Sequence, residues 1–199
     1  MWRVARILCA RPAATAMHAP DHEFDPDDEY AGGFDAEMDI DDEAGTEALV
    51  WQLLLLINPG DEETALRQFG AWQDATADLD DGETEPAWVL KDIIDWTSGF
   101  QVHDDDAAAF VDSITELVAR WNLDLDWGVE DPTDDAFLDE TSIRELLHVA
   151  YDALRSHGYT LWVWETGTDT VAGWMTLSRD DAAMRAVAPA LGIEVRPGG

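Results

Sequence analysis

The sequence predicts an α+β fold, in which a largely antiparallel sheet of about four strands packs with five or six helices, preceded by an acidic disordered arm. Apolar residues recur at helical spacing through much of residues 46–121, with Leu66, Phe69 and Trp72 on one such stripe. Two apolar runs, residues 159–165 and 170–177, are joined by TGTD and predict an antiparallel hairpin. Helices followed by a strand, a helix, a hairpin, a helix and a strand are typical of an α+β domain.

Local sequence patterns predict where the helices begin and end. The segment EALVWQLLLLI is apolar almost all round, as in a helix buried on most sides, and NPG stops it. Pro86 is expected at the start of a later helix, and Asp104 to Asp106 at the N-terminus of the next. Ser142 and Glu145 have capping-box spacing before a further apolar stripe.

Two single strands complete the expected sheet. In the segment NLDLDW the apolar period changes from 3.6 to 2, so residues 122–127 predict a half-buried strand. The outer face of that strand carries Asp124 and Asp126. A last strand is expected over residues 193–196.

One α+β domain is expected over residues 44–199, because this length supports a single sizeable core. Residues 1–43 are expected to be disordered or loosely docked, since their acidic part cannot bury enough apolar surface to offset the entropy of ordering. Within them, FDAEMDIDDE could form an edge strand or an acidic-hydrophobic interaction segment. The arginines of residues 1–16 have no successor before Arg67, which indicates that translation starts at Met17.

The charge balance limits the possible partners. The chain has 44 Asp and Glu residues against 11 Lys and Arg, a formal net charge of -33. Direct binding to nucleic acid is not expected, because that affinity comes largely from cations that neutralise phosphates. Docking on anionic lipid is disfavoured for the same reason. A basic protein or a metal ion remains a suitable partner.

The cysteine count and the apolar runs bear on location. Cys9 is the single cysteine, which excludes an internal disulfide framework and a cysteine-based zinc site. The longest apolar run, residues 48–57, is well short of the ~20 residues that a membrane span needs. A reducing, cytoplasmic setting is therefore expected, without membrane association.

The tryptophans of the hairpin have two interpretations. Trp162, Trp164 and Trp174 share one face of the predicted sheet, while the opposite face is also apolar. A sheet that is apolar on both faces is usually covered on both, which favours a core role for the three indoles. The alternative is an aromatic platform, rimmed by acids such as Asp124 and Asp126, that captures cationic groups or sugar rings.

Other titratable residues suggest a metal site at most. His103, Asp104, Asp105 and Asp106 could together coordinate a divalent cation, with further carboxylates from residues 134–140. No segment matches the spacing of a known catalytic or cofactor motif. The sequence therefore identifies no catalytic residue and no cofactor.

Three segments carry a resemblance to a known family: ALVWQLLLLINPGDEE, IIDWTSGFQVHDDD and HGYTLWVWETGTDTVAGWMTLSRDDAAM. With these, the chain resembles a bacterial family called domain of unknown function 6630, over about residue 44 to the end. The resemblance implies a compact intracellular α+β protein. It brings no activity, cofactor or catalytic residue to transfer.

Two functional hypotheses from different classes follow. The favoured one is a non-enzymatic binding protein whose acidic surface engages a basic protein partner, as immunity proteins, nuclease inhibitors and nucleic-acid mimics do. The alternative is a metal-assisted hydrolase or a sugar-binding protein that uses carboxylates near His103 or the face of Trp162, Trp164 and Trp174. An acidic housekeeping domain without a separable site is about equally compatible with the sequence.

Overall fold

The computed structural model describes residues 37–77 and 86–199, with side-chain detail from residue 44 in the first stretch and residue 87 in the second. Residues 1–36, and with them Cys9 and the expected start at Met17, lie outside the described residues, as does the acidic segment 78–85. The first helix begins at Glu37. The FDAEMDIDDE segment is therefore helical from Glu37 onward, and the edge-strand interpretation is wrong there.

The described residues form an α+β domain, which confirms the predicted fold class. Seven α-helices and four strands occur in these residues, with one 3-10 turn at Ser178–Asp180. In chain order the elements are α1 Glu37–Ile57, α2 Glu62–Ala77, α3 Pro86–Ile93, β1 Gly99–His103, α4 Ala107–Ala119, α5 Asp135–Glu140, α6 Ile143–Ser156, β2 Tyr159–Trp164, β3 Thr170–Leu177, α7 Asp181–Ala190 and β4 Val195–Pro197.

Several helix ends lie where the local sequence predicts them. α1 ends at Ile57, immediately before the NPG stop, and α3 begins at Pro86. Asp106 caps α4 by accepting a hydrogen bond from the backbone N–H of Ala109. The predicted capping box of α6 is present, with both reciprocal bonds between Ser142 and Glu145. Local side chain to backbone bonds thus fix these helix starts.

The four strands form one antiparallel sheet in the order β1-β3-β2-β4. The predicted hairpin of β2 and β3 is its centre, and Trp162 lies directly opposite Trp174. Gly173 is required on β3, because a Cβ there would collide with the backbone carbonyl of Trp162 and press on the Phe100 ring. The sheet can therefore close tightly between β1 and β2 only with glycine at this position.

One predicted strand is wrong. Residues 122–127 form no strand. The sheet instead contains β1, Gly99–His103, which was not predicted. The alternation itself is real, since Asp124 and Asp126 are exposed while Leu123 and Leu125 are partly buried against the core. The segment thus has one apolar side, but no neighbouring strand supplies the backbone partners that a sheet requires.

Helices cover both faces of the sheet. On the tryptophan side, α1, α2, α3 and α7 pack on the face that carries Trp162, Trp164 and Trp174. On the aliphatic side, α4 and α6 pack on the face that carries Leu161, Val163 and Met175. The prediction that the doubly apolar sheet is covered on both faces is confirmed, and each side has its own hydrophobic core.

In the described stretches, no helix combines the length and the apolar character that crossing a bilayer would require.

Candidate protein-binding interface

The elements that cover the aliphatic side carry a dense set of carboxylates, here called the acidic face. It spans residues 104–145, which include the β1–α4 turn, α4, the following loop, α5 and the first turn of α6. All fourteen of its acidic side chains are exposed, and only two arginines accompany them. The acids are Asp104, Asp105, Asp106, Asp112, Glu116, Asp124, Asp126, Glu130, Asp131, Asp134, Asp135, Asp139, Glu140 and Glu145.

Some of these carboxylates also hold the local backbone in place. Five carboxylates each accept a hydrogen bond from a backbone N–H two or three residues away. They belong to Asp106, Asp126, Asp131, Asp134 and Glu145. The loop between α4 and α6 therefore has a defined path although it is rich in exposed polar residues.

The pKa values of two of these groups are lowered by the same bonds. The Thr133 hydroxyl, followed by the Thr133 backbone N–H, lowers the pKa of Asp131. The backbone N–H of Ser142, followed by its hydroxyl, lowers the pKa of Glu145. Hydrogen bonds of this kind favour the charged form, so both carboxylates are ionised at neutral pH.

A cleft of about 650 Å³ lies next to the acidic face, at one end of the sheet. Charged and polar side chains from α6, β4 and three connecting segments reach it, above an apolar floor. The polar lining comes from Asp104, Ser142, Arg144, His148, Glu165 and Arg196, and the floor from Ile143, Leu147 and Val171. The cleft is thus mixed in charge, unlike the acidic face beside it.

A buried polar cluster links α1 and α2 to β1 and α4. The Asn58 amide donates to Gln68 Oε1 at 2.9 Å, and the Gln68 amide donates to Ser98 Oγ at 2.9 Å. Ser98 Oγ in turn donates to Asn58 Oδ1 at 2.6 Å, which closes a ring of three buried side chains. Every member both donates and accepts, so the ring satisfies buried groups that would otherwise destabilise the fold.

Arg120 joins this cluster from the end of α4. Its guanidinium donates to Asn58 Oδ1 at 2.9 Å, to the Thr97 carbonyl and to Asp61 Oδ2. The Asp61 carboxylate also accepts from the backbone N–H of Thr64. That bond, followed by the bond from Arg120, lowers the pKa of Asp61 from its ordinary 3.8 to about 2.

The cluster binds parts of the protein to one another, and sequence reasoning missed it. Gln68 lies on the same stripe of α2 as the buried Ala65 and Trp72. An amide at a core position of an amphipathic helix indicates a buried hydrogen-bond partner. The position of Gln68 therefore indicates a buried hydrogen bond, but its partners Asn58 and Ser98 come from other segments and could not be named from the sequence.

Comparison with known families now gives the chain its place. The family model for Domain of unknown function (DUF6630) matches residues 49–198, which is most of the chain. The chain belongs to the DUF6630 family. No curated protein and no solved structure matches it. The matched range of this DUF6630 protein contains the whole acidic face and the polar cluster.

The three tryptophans of the DUF6630 domain are core residues. Trp162 is 0% exposed, Trp164 6% and Trp174 1%. The indoles of Trp164 and Trp174 contact each other, with ring centroids 5.8 Å apart. The core interpretation is confirmed, and the proposed aromatic platform is corrected, because the helices of the tryptophan side cover this face of the sheet.

The predicted metal-binding residues do not form a metal site. His103, Asp104, Asp105 and Asp106 are all exposed, and the Asp106 carboxylate is occupied as the cap of α4. Within residues 37–77 and 86–199, no three His, Cys, Asp or Glu side chains converge closely enough to hold a metal ion. Consecutive residues around a turn point their side chains apart, which explains why proximity in sequence does not create a site here.

Asp124 and Asp126, the expected rim of the platform, are instead part of the acidic face. Both side chains are exposed, and Asp126 accepts from the backbone N–H of Gly128 at 2.8 Å. The structure therefore separates the two acids from the buried tryptophans with which they were grouped.

Proposed function

We propose that this DUF6630 protein is a non-enzymatic binding protein whose acidic face engages a basic protein partner. The mode of action would be that of an immunity protein, a nuclease inhibitor or a nucleic-acid mimic. The observation that supports the proposal is the acidic face itself, in which fourteen exposed carboxylates share residues 104–145 with two arginines. One of those arginines, Arg120, is directed to Asp61 on the other side.

Such a surface favours a basic partner for two physical reasons. A concentrated field of one sign steers a protein of opposite charge and raises the association rate, most strongly at low ionic strength. In addition, Asp126, Asp131 and Asp134 accept hydrogen bonds from nearby backbone N–H groups. These bonds hold part of the surface in one conformation before binding. Less ordering is then required when the complex forms.

The negative charge of the acidic face also argues against nucleic acid as a partner. A surface that suits a basic protein repels the phosphates of nucleic acids, so direct binding to DNA or RNA is not part of the proposal. A cytoplasmic, bacterial setting is proposed with it, on the basis of the single cysteine and the family resemblance.

Affinity purification from the native cell tests the proposal when two charge-matched variants accompany the wild type. The face variant carries Asp105→Asn, Asp112→Asn, Glu116→Gln and Asp124→Asn, four exposed acids of the acidic face. The control variant carries Glu62→Gln, Glu63→Gln, Asp74→Asn and Asp92→Asn, four exposed acids of α2 and α3. Both variants lose four negative charges, so they are matched in charge and differ in where the charge is removed.

We expect the wild type and the control variant to retain a basic protein at low salt and to release it at high salt. The face variant should retain much less of it, because the field at the interface is weakened where the partner binds. An empty eluate from the wild type at low salt would contradict the proposal. Equal retention by the two variants would contradict the role of the acidic face.

A further inference from the structure

The mixed cleft at the end of the sheet contains two charged side chains that have no partner of opposite charge among the residues that the structure describes. Asp104 and Arg144 both line it, yet no ion pair within 4.0 Å joins them to each other or to any other described residue. Neither side chain makes a hydrogen bond within the described part of the chain. Within that part of the chain, the cleft therefore presents an unpaired guanidinium and an unpaired side-chain carboxylate to the same space.

The state of Arg144 is unusual among the cationic side chains of residues 37–77 and 86–199. Five arginines form ion pairs: Arg67, Arg120, Arg155, Arg179 and Arg196. Lys91 and Arg185 lie over tryptophan rings. Arg144 does neither, although it shares residues 104–145 with fourteen exposed carboxylates.

Charge and shape together narrow the class of ligand. A simple anion would have to approach against the field of a chain with a net charge of -33. A simple cation would be attracted to the whole acidic face and would meet Arg144 in the cleft. A zwitterion has no net charge to be repelled, and its two ends match the two uncompensated groups. A volume of about 650 Å³ accommodates a small molecule of this kind.

The floor of the cleft selects among zwitterions. Ile143 and Leu147 of α6 and Val171 of β3 provide apolar contact between the charged walls. We propose that the cleft binds an α-amino acid with an apolar side chain. Arg144 donates to the ligand carboxylate, Asp104 accepts from the ligand ammonium group, and the side chain lies on the apolar floor.

The neighbouring residues fit the same ligand. His148 follows Arg144 by one helical turn, so the imidazole lies beside the guanidinium and adds a polar contact for the carboxylate. Glu165 is already paired with Arg196 across the cleft. That pair supports the wall, while Asp104 and Arg144 remain available for the ligand.

Calorimetry with L-leucine as the probe tests the proposal on the full chain. L-leucine should give one saturable binding event. N-acetyl-L-leucine lacks the ammonium group, and L-leucinamide lacks the carboxylate. Each should bind with an affinity at least roughly tenfold lower than that of L-leucine, since each loses a charge-assisted hydrogen bond. Glycine should also bind more weakly, because it does not contact the floor.

Two variants and two controls locate the site. Arg144→Gln and Asp104→Asn should each weaken leucine binding roughly tenfold or more. Both side chains are exposed and make no hydrogen bond or ion pair within the described residues, so neither change should affect folding, which circular dichroism verifies. Arg179→Gln and Asp105→Asn remove the same charges outside the cleft and should leave leucine affinity unchanged.

Three results would overturn the proposal: no saturable heat with leucine at millimolar concentration, equal affinity for leucine and a blocked analogue, or unchanged affinity in Arg144→Gln. The outcome is independent of the proposed function. Neither Asp104 nor Arg144 is substituted in the face variant, and leucine binding does not require a protein partner.

Discussion

The three side chains of the buried polar cluster are bonded to one another, whereas the carboxylates of the acidic face are exposed and bonded, where bonded at all, to groups a few residues away. Asn58, Gln68 and Ser98 are at most 1% exposed and form a closed ring. The carboxylates of the acidic face make no comparable long-range ring. The contrast indicates that long-range polar bonds stabilise the buried cluster, while the carboxylates of the acidic face stay exposed to solvent.

The charges follow the same division. Arg67 pairs with Asp95 on the tryptophan side, and Arg155 reaches from α6, on the aliphatic side, to Asp181 of α7. Partial burial acts to raise the pKa of Asp95, but hydrogen bonds from Thr97 and Arg67 outweigh it, so the pKa is lowered. On the acidic face, like charges accumulate without partners and repel one another, which opposes compaction. A fold that carries such a face needs stabilisation from elsewhere.

The largest expected effect comes from Arg120, which connects the acidic side to the polar cluster. Its side chain is 19% exposed. Arg120→Met removes the hydrogen bonds that Arg120 donates to Asp61, Asn58 and the Thr97 carbonyl and should lower the free energy of unfolding by about 2–4 kcal/mol. Urea unfolding at neutral pH measures the change.

Arg67→Met is the matched control for that experiment. The pair of Arg67 and Asp95 has the same chemistry, but the arginine is 56% exposed. Exposed pairs contribute about 0–1 kcal/mol, so this variant should remain close to the wild type. Equal losses in the two variants would show that the cluster around Asn58 adds nothing to an ordinary ion pair.

The contrast between the sides also explains what the sequence could predict. Helix starts at Pro86 and Ser142 depend on neighbouring residues, so local patterns identify them. The hairpin and the core role of its tryptophans follow from alternation within one continuous stretch. In contrast, the cluster and the cleft join segments far apart in the chain, such as Asn58 and Arg120, and a single sequence does not contain those distances.

The error at residues 122–127 has the same origin. Alternation reports that one side of an extended segment is buried, and that is true of Leu123 and Leu125. It does not report whether another strand lies alongside, which decides whether a strand forms. β1 has the necessary neighbour in β3, although its five residues give only a short alternation.

The second prediction compares two tryptophans within the core of the tryptophan side. Trp162 Nε1 donates to Thr176 Oγ1 at 2.9 Å, whereas Trp174 Nε1 is buried without a hydrogen-bond partner among the described residues. Trp162→Phe and Trp174→Phe remove the same ring volume, but the first also deprives Thr176 of its donor. Trp162→Phe should therefore cost about 1–2 kcal/mol more in unfolding free energy.

Chemical denaturation of both variants checks this difference. Identical losses would mean that the hydrogen bond of Trp162 does not contribute, and that packing alone determines stability on the tryptophan side.

The third prediction separates the acids that hold the backbone from those that do not. Asp106 caps α4, while its neighbour Asp105 makes no bond to the described residues. Asp106→Ala should lower the unfolding free energy by about 1 kcal/mol through loss of the cap. Asp105→Ala should change it by less than about 0.5 kcal/mol, toward higher stability at low salt, since it removes a repelled charge. Thermal melting at two salt concentrations distinguishes the two; a larger loss from Asp105→Ala would contradict the assignment.

The smallest expected effect is the pH dependence contributed by Asp61. The folded pKa, about 2, is below the ordinary 3.8, so the contribution is present above pH 4 and is lost as the pH falls toward 2. Asp61→Asn should therefore be less stable than the wild type at pH 6, and the gap should shrink between pH 4 and pH 2. The carboxylate is 38% exposed, and solvent screening keeps the gap below about 1 kcal/mol. Because Arg120 supplies part of the pKa shift, the gap should also be smaller in the Arg120→Met background. A gap that is constant from pH 6 to pH 2, measured by urea unfolding, would show that the Asp61 carboxylate does not stabilise the fold through its charge.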